Sequence, residues 1–513
     1  MTDKRKKILI TLAVIVPTWM ATIDSAIVNI GFGTIAGNIG ASIDEIAWIS
    51  TSYLLAMLTT LPLAGWLSAN FGRRRTFICA LGVFTLASIA CAMSDSLATL
   101  TIARFIQGLG AGVIMPLSSA ALMDAYGIEE RTKAFKIFGI CAMAGPAVGP
   151  SLGGWLLANG PWQSMFLINV PLGLAALALA LNHIPNQSIP GEKSKFDWLG
   201  LGIMSLGFCS MQYALQQGPR EEWLASWDIV ASIILTCSAL GWFGLREWKA
   251  EKPFVNLRPL RVPAYGIGIA LAMITGIGVT GTEFVVPLYM QDVLHFDLAT
   301  IGLCLMASPI AAMIGMEAAG RLMRTIPSPV IAIASLLITA TGTFWMAVMG
   351  TGVEPIQIVA PRALMGLGIG LMYVPLATLI NAKIPKADLD AAAGLSNLSR
   401  QLGMSLGFAF FGSLVFRTQT STTSELAAKY GVRSDAPNPT FDTVKRVLVE
   451  HGWTQNDAAS GAIRAMHEAL THAATNAAYG NILLVVGFIF VLSIPGVALF
   501  RTLPSSIKER PAS

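Results

Sequence analysis

Charge is what this chain has least of. Only 12% of its 513 residues are charged, against about 25% in soluble globular proteins. A soluble chain of this length would divide into several domains, each needing a charged surface, and the charges for that are missing. Histidines number five (His183, His295, His451, His467, His472), all in or near loops. His467 and His472 are the one close pair. Their spacing of five does not place two ligands on one helix face, so no metal site is expected. The six cysteines (Cys79, Cys91, Cys141, Cys209, Cys237, Cys304) lie in apolar segments without a CxxC, which fits free thiols acting as small hydrophobes. No Gly-rich, lysine-containing phosphate loop occurs, so ATP is not the expected driver. An enzyme, a cofactor and a nucleic-acid partner all lack residues that would call for them.

Apolar sequence is what the chain has in quantity: 54% of its residues are hydrophobic. A transmembrane helix needs about 20 apolar residues. Such runs fall at 8–31, 46–69, 76–94, 97–120, 134–158, 162–183, 198–216, 227–246, 264–290, 298–322, 328–350, 355–380, 390–416 and 480–502. The expected fold is an all-α membrane protein with fourteen spans and the bilayer as solvent. The first run follows Lys4–Lys7, is too long for a signal-peptide core and has no small-residue cleavage site after it, so it is read as a retained span. The long hydrophilic stretch is 417–478.

Basic residues orient these spans. With both termini cytoplasmic, nearly every lysine and arginine of a short loop falls on the cytoplasmic side, Arg220 excepted. An even number of spans fits this pattern. Arg104, Arg362 and Arg400 remain inside spans.

A repeat divides the chain. Arg104 precedes Gly108, Gly110, Gly112 and Pro116; Arg362 precedes Gly366, Gly368, Gly370 and Pro375. Two related halves are expected: 1–190 with six helices, and 256–513 with six more and the outer stretch 417–478. Between them, 191–255 holds two extra helices. Transporters are commonly built from such repeats, with the substrate site between them.

A charge in a lipid-embedded helix is costly, so Arg104 should face the interior and find a partner. The glycines of both ladders let neighbouring helices approach. Asp24, in the first span, is the leading partner. Burial raises a carboxylate's proton affinity and a nearby arginine lowers it, and an acid between the two influences can load and release a proton. A purely structural pairing stays open for both residues. Glu283 and Glu317 are two further acids in apolar runs. Each is a candidate proton site or counter-charge, or a structural partner for Arg362 or Arg400. Gly145, Gly149, Pro150, Gly153 and Gly154 describe a helix that can bend and slide against a partner. Gly65 to Arg75, with Gly72, Arg73 and Arg74, is a turn that can lock cytoplasmic helix ends, or simply anchor topology.

Taken together these residues resemble the major facilitator superfamily, and within it the fourteen-span drug:proton antiporters. Gly65–Arg75 is similar to the signature loop between spans two and three, Leu100–Gly112 to the span-four proton-coupling motif, and Gly145–Gly154 to the span-five antiporter motif. Phe166–Gly173 and Asp197–Gly200 resemble the flanks of spans six and seven. Thr34–Asn38, Gly65–Leu67 and Gly452–Gly461 carry a further likeness to EmrB-type multidrug exporters of Gram-negative bacteria. Ala69 stands where the signature loop has an aspartate, as in EmrB-type proteins; Asn70 replaces a basic residue, Lys136 a glycine, and Glu317 belongs to no motif.

The resemblance implies the major facilitator fold in the inner membrane, and proton-driven export of lipophilic small molecules. It implies Asp24 and Arg104 as the coupling pair, and a periplasmic adaptor and outer-membrane channel as partners, with 417–478 as the contacting region. A dedicated exporter of one metabolite, such as a fatty acid or siderophore, and a non-transporting sensor or scaffold are the alternatives.

Overall fold

The computed structural model describes residues 3–126, 130–184, 197–218, 221, 223–250, 255, 257–381, 384, 389–429, 439–451 and 453–499. Several basic loop residues used above for orientation, Lys193 and Arg220 among them, lie outside these. Among the described residues the chain is helical throughout, with no strand. In a bilayer every backbone polar group must be satisfied within the segment, which is what a helix does.

Each expected run coincides with helix. In order these are α1 (Asp3–Ile39), α2 (Ile43–Thr60), α3 (Leu63–Phe71), α4 (Arg73–Ala92), α5 (Leu97–Tyr126), α6 (Arg131–Asn159), α7 (Ser164–Leu167), α8 (Asn169–His183), α9 (Trp198–Gln217), α10 (Trp227–Lys249), α11 (Pro263–Asp292), α12 (Leu298–Leu322), α13 (Ser328–Ala347), α14 (Pro355–Asn381), α15 (Leu389–Lys429), α16 (Pro439–Glu450) and α17 (Gln455–Leu499). Among the described residues eleven helices are long and apolar enough to cross a membrane, or twelve if α2 and α3, bent by 53°, form one span. The expected runs 134–158 and 390–416 fall within α6 and α15. The total is compatible with fourteen.

Three elements differ from the sequence expectation. The run 46–69 is broken between Thr60 and Leu63, where Pro62 lacks the N–H a continuing helix would use. The run 162–183 breaks at Ile168 into α7 and α8. The hydrophilic stretch 417–478 is largely helix: α15 runs on to Lys429, α17 starts at Gln455, and α16 packs on α17. At 1.5 Å per residue α15 and α17 are each more than about 60 Å long, twice the ~30 Å bilayer core. Alanine-rich sequence carries α17 beyond the apolar segment, whereas the extension of α15 is rich in Thr and Ser and continues a helix already nucleated in the span.

One packing scheme occurs twice. α5 lies on α2 and α4, and α1 on α6 and α8; α14 lies on α12 and α13, and α11 on α15 and α17. The glycine ladders let α5 and α14 approach these neighbours closely. A Cβ at Gly112 would stand 2.7 Å from the Met57 carbonyl oxygen of α2, and one at Gly110 would stand 2.7 Å from that of Ala80 on α4. Gly108 is closed off by the Tyr53 backbone, Gly366 and Gly370 by the Ser308 and Ala312 backbone of α12, and Gly368 by Ser335 and Thr339 of α13. α9 and α10 pair with each other; α9 also reaches α2 and α15.

The two sets of helices meet toward the end of the bundle where α1 and α6 finish, here termed the far end. Phe32 of α1 meets Phe284 of α11 with ring centroids 5.6 Å apart. Ser151 of α6 donates to the Gly302 carbonyl of α12 at 2.9 Å. Gly412 of α15 lies against Ala47 of α2.

Candidate functional site

Asp24 and Arg104 meet inside the first set of helices, both fully buried. Arg104 Nη1 donates to Asp24 Oδ2 at 2.5 Å. Two neutral amides complete the carboxylate's shell on its other oxygen: Gln107 Nε2 donates to Oδ1 at 2.9 Å, and Asn169 Nδ2 at 2.6 Å. Ser88 Oγ accepts from Gln107 Nε2 at 2.7 Å. The guanidinium is held by more than the acid. It donates to Gln107 Oε1 at 2.6 Å and to the Ile49 carbonyl at 3.3 Å, and lies 4.3 Å from the Tyr53 ring centroid. Five elements converge here, since α1, α2, α4, α5 and α8 each supply a group.

The local sequence explains this convergence. Gln107 follows Arg104 by three residues, so the two share a helix face. The break at Ile168 makes Asn169 the first residue of α8 and turns it inward. Gln107, Asn169, Ser88 and Tyr53 are not singled out by the sequence; Gln107 and Asn169 enter it only as members of the stretches Leu100–Gly112 and Phe166–Gly173.

The antiporter motif lies against the same stretch of α1. Gly145, Gly149 and Gly153 present one face of α6 to it. A Cβ at Gly145 would collide with Thr22, one at Gly149 would stand 3.0 Å from Ala26 Cβ, and one at Gly153 2.8 Å from Ile27 Cγ1. The neighbouring face, with Pro150, Ser151 and Gly154, packs on α12 at Leu298 and Gly302. One helix therefore touches both the Asp24 segment and the opposite helix set.

The second set holds a looser pair. Arg362 is fully buried and donates to Glu283 Oε1 and to the Thr282 carbonyl, both at 3.4 Å. The Glu283 side chain is 31% exposed. Glu317 is not brought to this site: it lies on the outside of α12 beside Arg321 at 3.1 Å, with nearly half of its side chain exposed. The apolar run 298–322 extends past the core, so an acid inside the run need not be inside the bundle.

The loop motif is tied within the first set. Gly72 has φ +85°, the left-handed region that glycine tolerates, and joins α3 to α4. Arg73 donates to Asp124 at the end of α5, and Arg74 to the Leu181 carbonyl of α8. Ala69 offers no carboxylate, and the acid beside Arg73 is Asp124. Gly65 has open space around it. Among the described residues no group of histidines, cysteines and carboxylates could hold a metal.

A family model described as Major Facilitator Superfamily matches residues 15–408. The chain is 29% identical over 412 residues to multidrug export protein EmrB of Haemophilus influenzae, covering 78% of this chain and 79% of that one. It is 26% identical over 458 residues to fatty acid resistance protein FarB of Neisseria gonorrhoeae, covering 86% and 90%. Its fold is similar to the crystal structure of a bacterial homologue of the human lysosomal transporter Spinster, with a TM-score of 0.62 at 13% identity, each chain covered in full.

Proposed function

Because this chain belongs to the Major Facilitator Superfamily, we propose that it exports lipophilic drugs or other toxic small molecules across the bacterial inner membrane in exchange for protons. The likeness to EmrB supports this substrate class. The sealed Asp24–Arg104 pair carries the coupling. Removing the negative partner of a buried ion pair leaves an uncompensated charge, which costs about 3–5 kcal/mol. Here the loss is cushioned, because Gln107 Oε1, the Ile49 carbonyl and the Tyr53 ring still hold the guanidinium. Asp24 can thus accept a proton and release α1 without stranding Arg104. The freed α1 shifts on the glycine face of α6, and α6 transmits the shift to its contact with α12. Closure at the far end then depends on the protonation of Asp24.

In this reading two pseudo-symmetric six-helix halves flank the extra pair α9–α10, and both termini are cytoplasmic. The far end is periplasmic, and the structure is closed toward the periplasm. No cofactor takes part; the proton gradient supplies the energy. Glu283, paired with Arg362 and partly exposed, serves as a second proton site or a charge facing the substrate path. The projecting ends of α15 and α17, with α16, offer a surface for a periplasmic adaptor and its outer-membrane channel.

The test uses inverted vesicles. Asp24→Asn is expected to abolish substrate-induced proton movement while the protein remains inserted, and Arg104→Ala to be nearly as severe. Unchanged coupling in Asp24→Asn would sink the assignment. Export of one metabolite class is the second reading, favoured by the likeness to FarB. A narrow profile across a panel of neutral, cationic and anionic compounds would select it.

A further inference from the structure

Deep in the spans, Asp24 is matched by Arg104 and Glu283 by Arg362. Arg400 of α15 has no acid partner among the described residues. Its Nη2 donates to Asn397 Oδ1 at 2.7 Å, and its guanidinium lies 4.9 Å from the ring centroid of Tyr373 on α14. The Arg400 carbonyl stands level with Gly276, near the middle of α11. This places Arg400 about 16 Å along α15, close to the midplane of a bilayer core.

The surroundings say which way it points. α15 turns Gly403 and Gly407 to α11, and Ser405 and Gly412 to α9 and α2. Arg400 shares the α11-facing side of α15 with Gly403 and Gly407, three and seven residues on, and from there its guanidinium reaches across to Tyr373 of α14. Arg400, Asn397 and Tyr373 are all half-buried, not sealed. An arginine half-exposed to hydrocarbon at this depth is unfavourable by several kcal/mol. Its exposed part is therefore better accommodated inside the bundle, where α11, α14 and α15 meet around it.

We propose that Arg400, Asn397 and Tyr373 form an anion subsite on the substrate path, one that takes the carboxylate of an amphiphilic acid. Asn397 fixes one guanidinium nitrogen and Tyr373 supports the plane from one face. Nε and Nη1, which make no hydrogen bond to any described residue, are left to donate side by side to two carboxylate oxygens, the geometry in which arginine binds carboxylates most strongly. The apolar tail of the acid lies along the surrounding spans. A substrate anion also balances a deep charge that has no acid partner among the described residues. The proposal rests on the transport reading only in taking this space as the substrate path; Asp24 has no part in it.

The experiment is equilibrium binding to the purified full chain in nanodiscs at neutral pH. The probes are a fluorescent long-chain fatty acid and its methyl ester. The wild-type protein is expected to bind the acid at least tenfold more tightly than the ester, and Arg400→Gln to remove that preference without changing ester affinity. Arg400→Lys is expected to restore part of it. Equal affinity for acid and ester in the wild type would overturn the subsite, and this comparison needs no variant to fold. So would an Arg400→Gln protein that keeps the preference, or one that loses acid and ester binding alike. Binding is read without a proton gradient, so failure of Asp24→Asn to uncouple transport would remove the coupling reading and leave this result standing.

Discussion

Gly154 of α6 lies directly against the carbonyl oxygen of Leu298 at the start of α12, with no room between them for a Cβ atom. This contact joins the two helix sets where they close. Gly154→Leu is therefore expected to hold that end apart. A cysteine pair placed across α6 and α12 near this level should cross-link readily in the parent chain, and at least tenfold more slowly with Gly154→Leu. Transport in vesicles should fall in parallel.

The amides around Asp24 give a second expectation. A hydrogen bond to a charged group contributes about 1.5–3 kcal/mol. Gln107→Leu and Asn169→Leu each remove one from Oδ1. Each should slow substrate-induced proton movement by ten- to a hundredfold in reconstituted vesicles, with insertion into the membrane unchanged. Asn169→Ser, which keeps a donor, should lose less than Asn169→Leu.

The glycine ladders should be intolerant of any side chain. Overpacking a close contact costs about 1–3 kcal/mol, and more where the obstructing atoms are backbone. Gly112→Val and Gly370→Val are expected to lower the unfolding temperature in detergent. Gly65→Val, with open space around it, should leave that temperature unchanged.

Asp197 supplies a pH dependence. It caps α9 through the Gly200 N–H at 2.9 Å and accepts two hydrogen bonds from Arg246, which hold its carboxyl below the usual carboxylate range. A group with a depressed native pKa contributes stability that is present above its unfolded value of about 3.9 and is lost as pH falls through the native value. Asp197→Asn keeps the cap and removes the ion pair. It should lower the unfolding temperature at pH 7 slightly, and the difference from the parent chain should shrink below about pH 4.

The projecting helices separate two activities. Deleting Pro439–Glu450, which forms α16, should leave transport in vesicles of the single protein intact. Drug resistance of whole cells should be lost if an adaptor docks there. Intact resistance would remove α16 from any such interface.

The sequence exposed the parts of this molecule that are improbable in lipid. Asp24 and Arg104 stood out because charges inside apolar runs are rare, and the two glycine ladders because they recur at the same spacing. Gln107, Asn169 and Ser88 did not stand out, because neutral polar residues are common in such runs and only the fold brings these to one carboxylate. Glu317 misled for the converse reason: an apolar run records composition, not which residues turn outward. The segment 417–478 shows only its polarity in the sequence, yet polar sequence continues a helix once a span has nucleated it.

α9 bears on how a substrate reaches the interior. Gln212 donates to the Ser405 carbonyl of α15 and Gln216 to Thr51 of α2, so α9 lies across the join between those two helices. The equivalent join, between α6 and α12, has no such cover among the described residues. A solute dissolved in the bilayer thus meets two unequal seams. One is caulked by an extra helix pair and bolted with amides; the other is closed by glycine against backbone and the Ser151 hydroxyl on the Gly302 carbonyl, and is the thinner barrier of the two.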